Sequence, residues 1–201
     1  MSNNLPVQLT RFIGREREIA DVKQQLAQTR LVTLTGPGGC GKSRLAAAVA
    51  AQVLDVYRDG IAWVDLASVA DESLVAQTVA KALGVGEQTG RSMGEVLADF
   101  LSKRHLLLVL DNCEHLIAAC ARLVSGLLSA CPDLIILTTS REPLALAGER
   151  VYPVPALSLP PAEILAGDQI TAEILEALPR YEAVTLFLDR GRAVKPGFTV
   201  T

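Results

Sequence analysis

The chain carries no large excess of either charge: 19 lysines and arginines stand against 22 aspartates and glutamates, a formal net charge of −3. A nucleic-acid surface is marked by a basic patch, so this balance argues against direct nucleic-acid contact from the segment itself. No apolar run approaches the roughly 18 to 20 residues that span a bilayer. The opening Met1-Ser2-Asn3-Asn4-Leu5-Pro6 also lacks a basic stretch followed by an apolar one. The expectation is a cytoplasmic chain with no membrane contact. Its four cysteines, Cys40, Cys113, Cys120 and Cys131, include no CxxC pair, which leaves neither zinc-ligand spacing nor a disulfide framework. Cys113 and Cys120, on or beside one expected helix, read as small core residues. Internal repeats and low-complexity tracts are lacking too.

What the chain does have is apolar material in a regular order. Half of its 201 residues are apolar, enough for a substantial core. Ile19, Val22 and Leu26 recur at helical spacing and predict an amphipathic helix over about 15–29. Leu31-Val32-Thr33-Leu34-Thr35 predicts a strand, followed by a glycine loop and a helical stripe through Leu45, Val49, Val53 and Val56. A second strand is expected over Ile61 to Asp65, with Trp63 as a core aromatic. Helices follow through Val75, Val79 and Leu83 and through Val96, Leu97, Phe100 and Leu101. Leu106 to Leu110 is apolar at every position, as in a central strand covered on both faces, and it stops at Asp111. A helix through Leu116, Cys120, Leu123, Val124, Leu127 and Leu128 precedes a strand at Leu134 to Thr138. Val151-Tyr152-Pro153-Val154 reads as a fifth strand, at an edge because of its proline.

Strands alternating with helices predict an α/β fold with a parallel sheet, whose ligand site lies at the carboxyl ends of the strands. The domain reading is a nucleotide-binding domain over 1–155, a proline-broken linker over 156–180 with a short helix, and a new helical start over 181–201.

The chemistry gathers at those carboxyl ends. Gly36-Pro37-Gly38-Gly39-Cys40-Gly41-Lys42-Ser43 fits GxxxxGK[ST], in which glycines let backbone N–H groups converge on phosphate oxygens and the next helix adds its positive end. Lys42 reaches the β and γ phosphates in this reading, Ser43 places its hydroxyl on Mg²⁺, and Arg44 follows in the helix. Cys40 reads either as small filler or as a thiol activated beside Lys42. Asp111, ending a buried strand, reads as the metal-holding carboxylate or as a helix cap. Asn112 stands where many hydrolysing relatives carry a second acid, and Glu114 is the nearest alternative base, or a first-turn glutamate complementing a helix dipole. Arg141, after Thr138-Thr139-Ser140, reads as a γ-phosphate sensor or a surface ion pair. His115 is expected in a first helical turn and His105 in solvent.

Taken together, Phe12-Ile13-Gly14-Arg15-Glu16, the glycine loop, Leu107 to His115 and Thr138 to Leu144 resemble the NB-ARC-like STAND ATPases, P-loop proteins found in large bacterial LuxR-type and antibiotic-regulator-type transcription factors. The resemblance implies a P-loop NTPase three-layer sandwich with a five-stranded sheet ordered 5-1-4-3-2, followed by the start of a helical lid. It puts Ile13, Gly14 and Arg15 by the base and ribose and Arg141 on the γ-phosphate. ATP, ADP and Mg²⁺ are the expected ligands. The expected activity is a switch with slow ATP hydrolysis that self-associates in the ATP state. Its partners would be the remaining lid, winged-helix and sensor domains of a longer regulator. A small-molecule kinase would need a basic lid, but only Arg180 is basic between 155 and 180. A mechanical ATPase acting on DNA would need more positive charge and a second acid.

Overall fold

Four short, largely apolar runs and a fifth, more polar one become strands in the computed structural model, which describes residues 3–162, 172–195 and 197–199. They are β1 (Leu31–Thr35), β2 (Ile61–Asp65), β3 (Leu107–Asp111), β4 (Ile135–Ser140) and β5 (Glu149–Pro153). All pair in parallel, in the order β2-β3-β4-β1-β5. This is the order that the resemblance implies. β5 lies at the edge beside β1, where Pro153 removes no ladder donor that the sheet needs.

The helices are α1 (Glu16–Gln28), α2 (Lys42–Gln52), α3 (Val75–Leu83), α4 (Met93–Leu101) and α5 (Ile117–Ala130), with α6 (Ala172–Ala177) and α7 (Glu182–Val194) further on. Leu108, Leu110, Ala62, Val64 and Ile136 join apolar residues of α3, α4 and α5 in one buried cluster. The alternate residues Leu107, Val109, Val32, Leu34 and Leu137 are equally buried outside that cluster, and α1 and α2 pack on each other and on β1. A sheet apolar on both faces between two helix layers is a three-layer α/β sandwich.

The boundaries differ from the periodicity in instructive ways. β3 begins at Leu107 and takes in Asp111, and β4 runs through to Ser140, because ladder hydrogen bonds continue past the last apolar residue. α2 ends at Gln52, so Val56 is 60% exposed while the Tyr57 ring is buried in its stead. His105, expected in solvent, is half-buried with its ring 5.2 Å from that of Tyr57.

The chain divides into two compact units, Met1–Gln8 with Glu16–Val154, and Leu9–Arg15 with Pro155–Thr201. The first holds the sheet and α1 to α5. In the second, a 3₁₀ turn at Leu178–Arg180 leads into α7. The Glu182 N–H donates to Ser158 Oγ (2.9 Å), and the Glu182 carboxylate accepts from the N–H groups of Ser158 (3.0 Å) and Arg15 (2.6 Å). Gly14 lies at φ 70, and a β-carbon there would collide with the Glu182 carboxylate. The expected linker includes residues 163–171, and the expected lid start includes 196, 200 and 201, all outside the described residues.

Candidate functional site

The site is built on the loop that leaves β1. Thr35 ends the strand, and the chain turns through Gly36 to Gly41 before α2 begins at Lys42. Gly41, the residue before α2, is left-handed (φ 92, ψ 21), a conformation that a β-carbon disfavours. Gly36 lies at φ 150, and a β-carbon there would also crowd the Cys40 sulfur at 3.0 Å, so the loop favours a bare glycine at this position. Lys42 is buried, and its ammonium donates across the loop to the carbonyls of Gly36 (2.9 Å) and Pro37 (3.1 Å). The first turn of α2 presents backbone N–H groups toward the loop, where the helix carries its positive end. Loop, lysine and helix end together present donors and no carboxylate, which suits an anion.

Asp111 comes in from the end of β3. It is 5% exposed and held on both oxygens: Oδ1 accepts from the Thr139 hydroxyl (2.5 Å) and Oδ2 from the Asn112 side-chain amide (3.3 Å). Burial pushes its carboxyl above the usual carboxylate range. Hydrogen bonds from Thr139 and Ser43 pull it back in part, and the charges of Asp65 and Glu114 push it up further. The Ser43 hydroxyl and the Asp111 carboxylate thus meet, an all-oxygen pair of the kind that a hard divalent cation takes.

Arg141 lies just past β4. Its Nε is 3.4 Å from Glu114 Oε1, and its Nη2 is 3.6 Å from where a β-carbon on Gly38 would be, so the guanidinium lies over the glycine loop. Glu114 belongs to a 3₁₀ turn, Cys113–His115, and its other oxygen is buried with no hydrogen-bond partner among the described residues. His115, in the same turn, is 2.8 Å from the Val69 carbonyl through Nε2. An open depression of about 430 Å³ is lined by Ala67, Asn112, Glu114, His115, Arg141 and Glu142. A larger one, about 500 Å³, lies off the amino ends of β1 and β4 and includes Arg30, Tyr57 and Ile135. The ligand side of a parallel sheet is its carboxyl end, so chemistry rather than size picks the site.

Lys42, Ser43, Asp111, Glu114 and Arg141 are therefore brought together in the first unit, with Pro37, Gly38, Gly39 and Cys40 on the exposed or half-buried rim of the loop. Arg44 is half-buried in the first turn of α2. Ile13, Gly14 and Arg15 belong to the second unit, where Arg15 is buried and its guanidinium donates to the Pro155 carbonyl (3.0 Å). Sequence reading missed two participants. Thr139 was legible only as a β-strand threonine. Asp65 ends β2 directly opposite Asp111 in the strand register, and its only signal was an acid closing an apolar run.

No helix among the described residues is long and apolar enough to cross a membrane. A family described as Novel STAND NTPase 1 matches residues 6–147. A predicted HTH-type transcriptional regulator of Mycobacterium tuberculosis is 47% identical over 175 residues, covering 87% of this chain and 17% of that protein. An uncharacterized protein of Mycobacterium bovis is 42% identical over 192 residues, covering 96% of this chain and 44% of its own. The chain thus spans less than half the length of these relatives. Among solved structures, it is similar to a STAND protein with a tetratricopeptide repeat sensor from Pyrococcus horikoshii, with TM-score 0.54, 16% identity, and coverage of 80% of this chain and 25% of that one. It is also similar to Cdc6p from Pyrobaculum aerophilum, with TM-score 0.52, 13% identity, and coverage of 74% and 46%. Identities this low speak to the fold alone.

Proposed function

The chain belongs to the family described as Novel STAND NTPase 1, and we propose that it works there as an ATP/ADP switch with slow Mg²⁺-dependent hydrolysis. The observation that carries this reading is the convergence of Lys42, Ser43, Asp111 and Arg141 from the ends of three parallel strands around one glycine loop. On binding, Lys42 exchanges the carbonyls of Gly36 and Pro37 for the β and γ phosphates, while the loop and first-turn N–H groups cradle the rest of the polyphosphate. Ser43 and Asp111 would hold Mg²⁺, which neutralises phosphate charge when bound. Arg141 is the sensor: only ATP offers a γ-phosphate to draw its guanidinium from Glu114, and that difference in contacts is what lets a ligand shift a conformational equilibrium. Glu114 restrains the arginine until then. With asparagine rather than an acid following Asp111 in the chain, unassisted turnover is expected at roughly 10⁻⁴ to 10⁻² s⁻¹, the range of unstimulated switch GTPases.

The finer reading is an NB-ARC-like domain of a LuxR-type or antibiotic-regulator-type transcription factor, cytoplasmic, in which ATP favours an oligomerising state. The much greater length of the HTH-type relative supports it. In this reading residues 1–155 form the nucleotide-binding domain, 156–180 a linker and 181–201 the start of a lid. Ile13 to Arg15 would contact the base and ribose. Calorimetry of ATP and ADP with Mg²⁺ tests the core of the proposal. Lys42→Ala is expected to weaken both nucleotides at least about 30-fold, the loss of one or two charge-assisted hydrogen bonds. Arg141→Ala is expected to weaken ATP about 10-fold and leave ADP nearly unchanged. A wild-type chain that binds neither nucleotide sinks the reading.

A further inference from the structure

Glu114 is the acid nearest to Asp111 in sequence, but it is already paired with Arg141, and its second oxygen is buried. The strand register brings a different carboxylate to the place. β2 lies beside β3, and Asp65, the last residue of β2, is directly opposite Asp111, the last residue of β3. The two acids are joined by one side chain: the Asn112 amide Nδ2 donates to Asp65 Oδ1 (3.1 Å) and to Asp111 Oδ2 (3.3 Å). Asn112 is itself fixed. Its backbone is left-handed (φ 63, ψ 50), and its N–H donates to Thr139 Oγ1 (3.0 Å), the hydroxyl that donates to Asp111. Asp65 Oδ1 also accepts from the Ala67 N–H (2.9 Å), so the carboxylate is anchored through one oxygen. Unlike Asp111, Asp65 is exposed, and Ala67 and Asn112, its two anchors, both line the open depression at this end of the sheet.

We propose that Asp65 is the catalytic carboxylate that orients the attacking water, and that Asn112 is the positioning residue that ties it to Asp111. This rests on the nucleotide-switch reading and deepens it. Asp65 accepts a hydrogen bond from the water and aims its lone pair at the γ-phosphorus. The water oxygen bonds to phosphorus as the bond to the β–γ bridging oxygen breaks, and that electron pair leaves on ADP. One proton of the water stays on the new phosphate, and the other is released to solvent. The second acid therefore comes from the neighbouring strand end, and the amide at position 112 serves as its strut.

The test is single-turnover hydrolysis of γ-labelled ATP with Mg²⁺ by this chain, beside calorimetric affinities for ATP and ADP, in the wild type, Asp65→Asn and Asp65→Ala. Asparagine at 65 keeps an oxygen acceptor for Asn112 and Ala67 but is a much weaker acceptor for water. Both variants are expected to lose about 10²-fold or more in rate, the usual contribution of a positioned acid–base group, with affinities within about 3-fold of wild type. Asp65→Glu is expected to recover part of the rate. The inference is overturned if Asp65→Asn hydrolyses within about 3-fold of wild type while Asp65→Ala does not, which is the pattern of a purely structural acceptor. It is overturned as well if Asp65→Asn loses binding in proportion to rate. Wild-type binding without turnover overturns this inference and leaves the nucleotide-binding part of the switch reading standing, whereas no binding at all removes both.

Discussion

At the scale of single residues, the site holds a charge in an unfavourable place. Asp111 is buried, its carboxyl is pushed up chiefly by that burial, and Asp65 and Glu114 add to the push. A carboxyl whose folded pKa is raised stabilises the fold only below its unfolded value of 3.8, and that contribution is lost as pH rises through the folded value. Above that folded value the ionised group is a net cost to the chain without ligands. Asp111→Asn keeps an acceptor for the Thr139 hydroxyl and removes the charge. It is therefore expected to raise the melting temperature at pH 7 in the absence of nucleotide and Mg²⁺, with the gain vanishing near pH 3, while weakening Mg²⁺-ATP binding. Calorimetric scans across pH read the first effect and titration the second. A variant less stable than wild type at pH 7 would show that the hydroxyl contacts outweigh the burial.

The same scale shows where reading from sequence stopped. Lys42 and Ser43 were legible because their roles are fixed by a short contiguous motif, and Asp111 because it ends a run that nothing polar interrupts. The Arg141–Glu114 pair joins residues 27 positions apart on neighbouring strand ends, and no local pattern announces such a meeting. Asp65 is exposed, and one exposed acid at the end of a strand looks in sequence like any other.

At the scale of elements, two helix starts are fixed by reciprocal hydrogen bonds that can be tested singly. Ser92 and Glu95 form a capping box on α4, each side chain accepting from the other's backbone N–H. Ser92→Ala is expected to cost about 1 kcal/mol, seen as a fall of about 2–4 °C in melting temperature for a chain of this size. Glu182 organises the second unit. Burial pushes its carboxyl up, but hydrogen bonds from the N–H groups of Ser158 and Arg15 and from the Ser158 hydroxyl win and hold it below its usual 4.5. A depressed carboxyl contributes stability above its unfolded pKa and loses it as pH falls through the folded value. Glu182→Gln is therefore expected to increase hydrogen exchange at the start of α7 at pH 7, with the difference from wild type closing below about pH 4. The elements themselves were well marked in the sequence, since four apolar runs and the short segment around Val151 and Tyr152 correspond to the five strands. Their ends were not, because the ladder hydrogen bonds that carry β4 to Ser140 need no apolar side chain.

At the scale of the whole molecule, ligand binding becomes a stability measurement. A ligand at 100 times its dissociation constant stabilises the state that binds it by about 2.7 kcal/mol, which corresponds to about 5–10 °C for a chain of this length. Mg²⁺-ATP is expected to raise the melting temperature of the wild type by that amount, and Lys42→Ala to abolish the shift, read by scanning fluorimetry against nucleotide concentration. The parallel α/β class followed from alternating periodicities, but the strand order did not. It came from the resemblance, because periodicity says which residues are buried and not which strand lies beside which.

The left-handed backbone at Asn112 bears on how this site can evolve. A side chain other than glycine, asparagine or aspartate is costly at φ 63, by roughly 1–2 kcal/mol. A lineage that acquired glutamate here would have to rebuild the turn before the new acid could pay its way, and it would lose the amide that ties Asp65 to Asp111. A single codon change therefore leads downhill in both stability and catalysis. Descendants of this chain in search of faster turnover are more readily supplied with an acid or an arginine from outside the turn than with a glutamate at position 112.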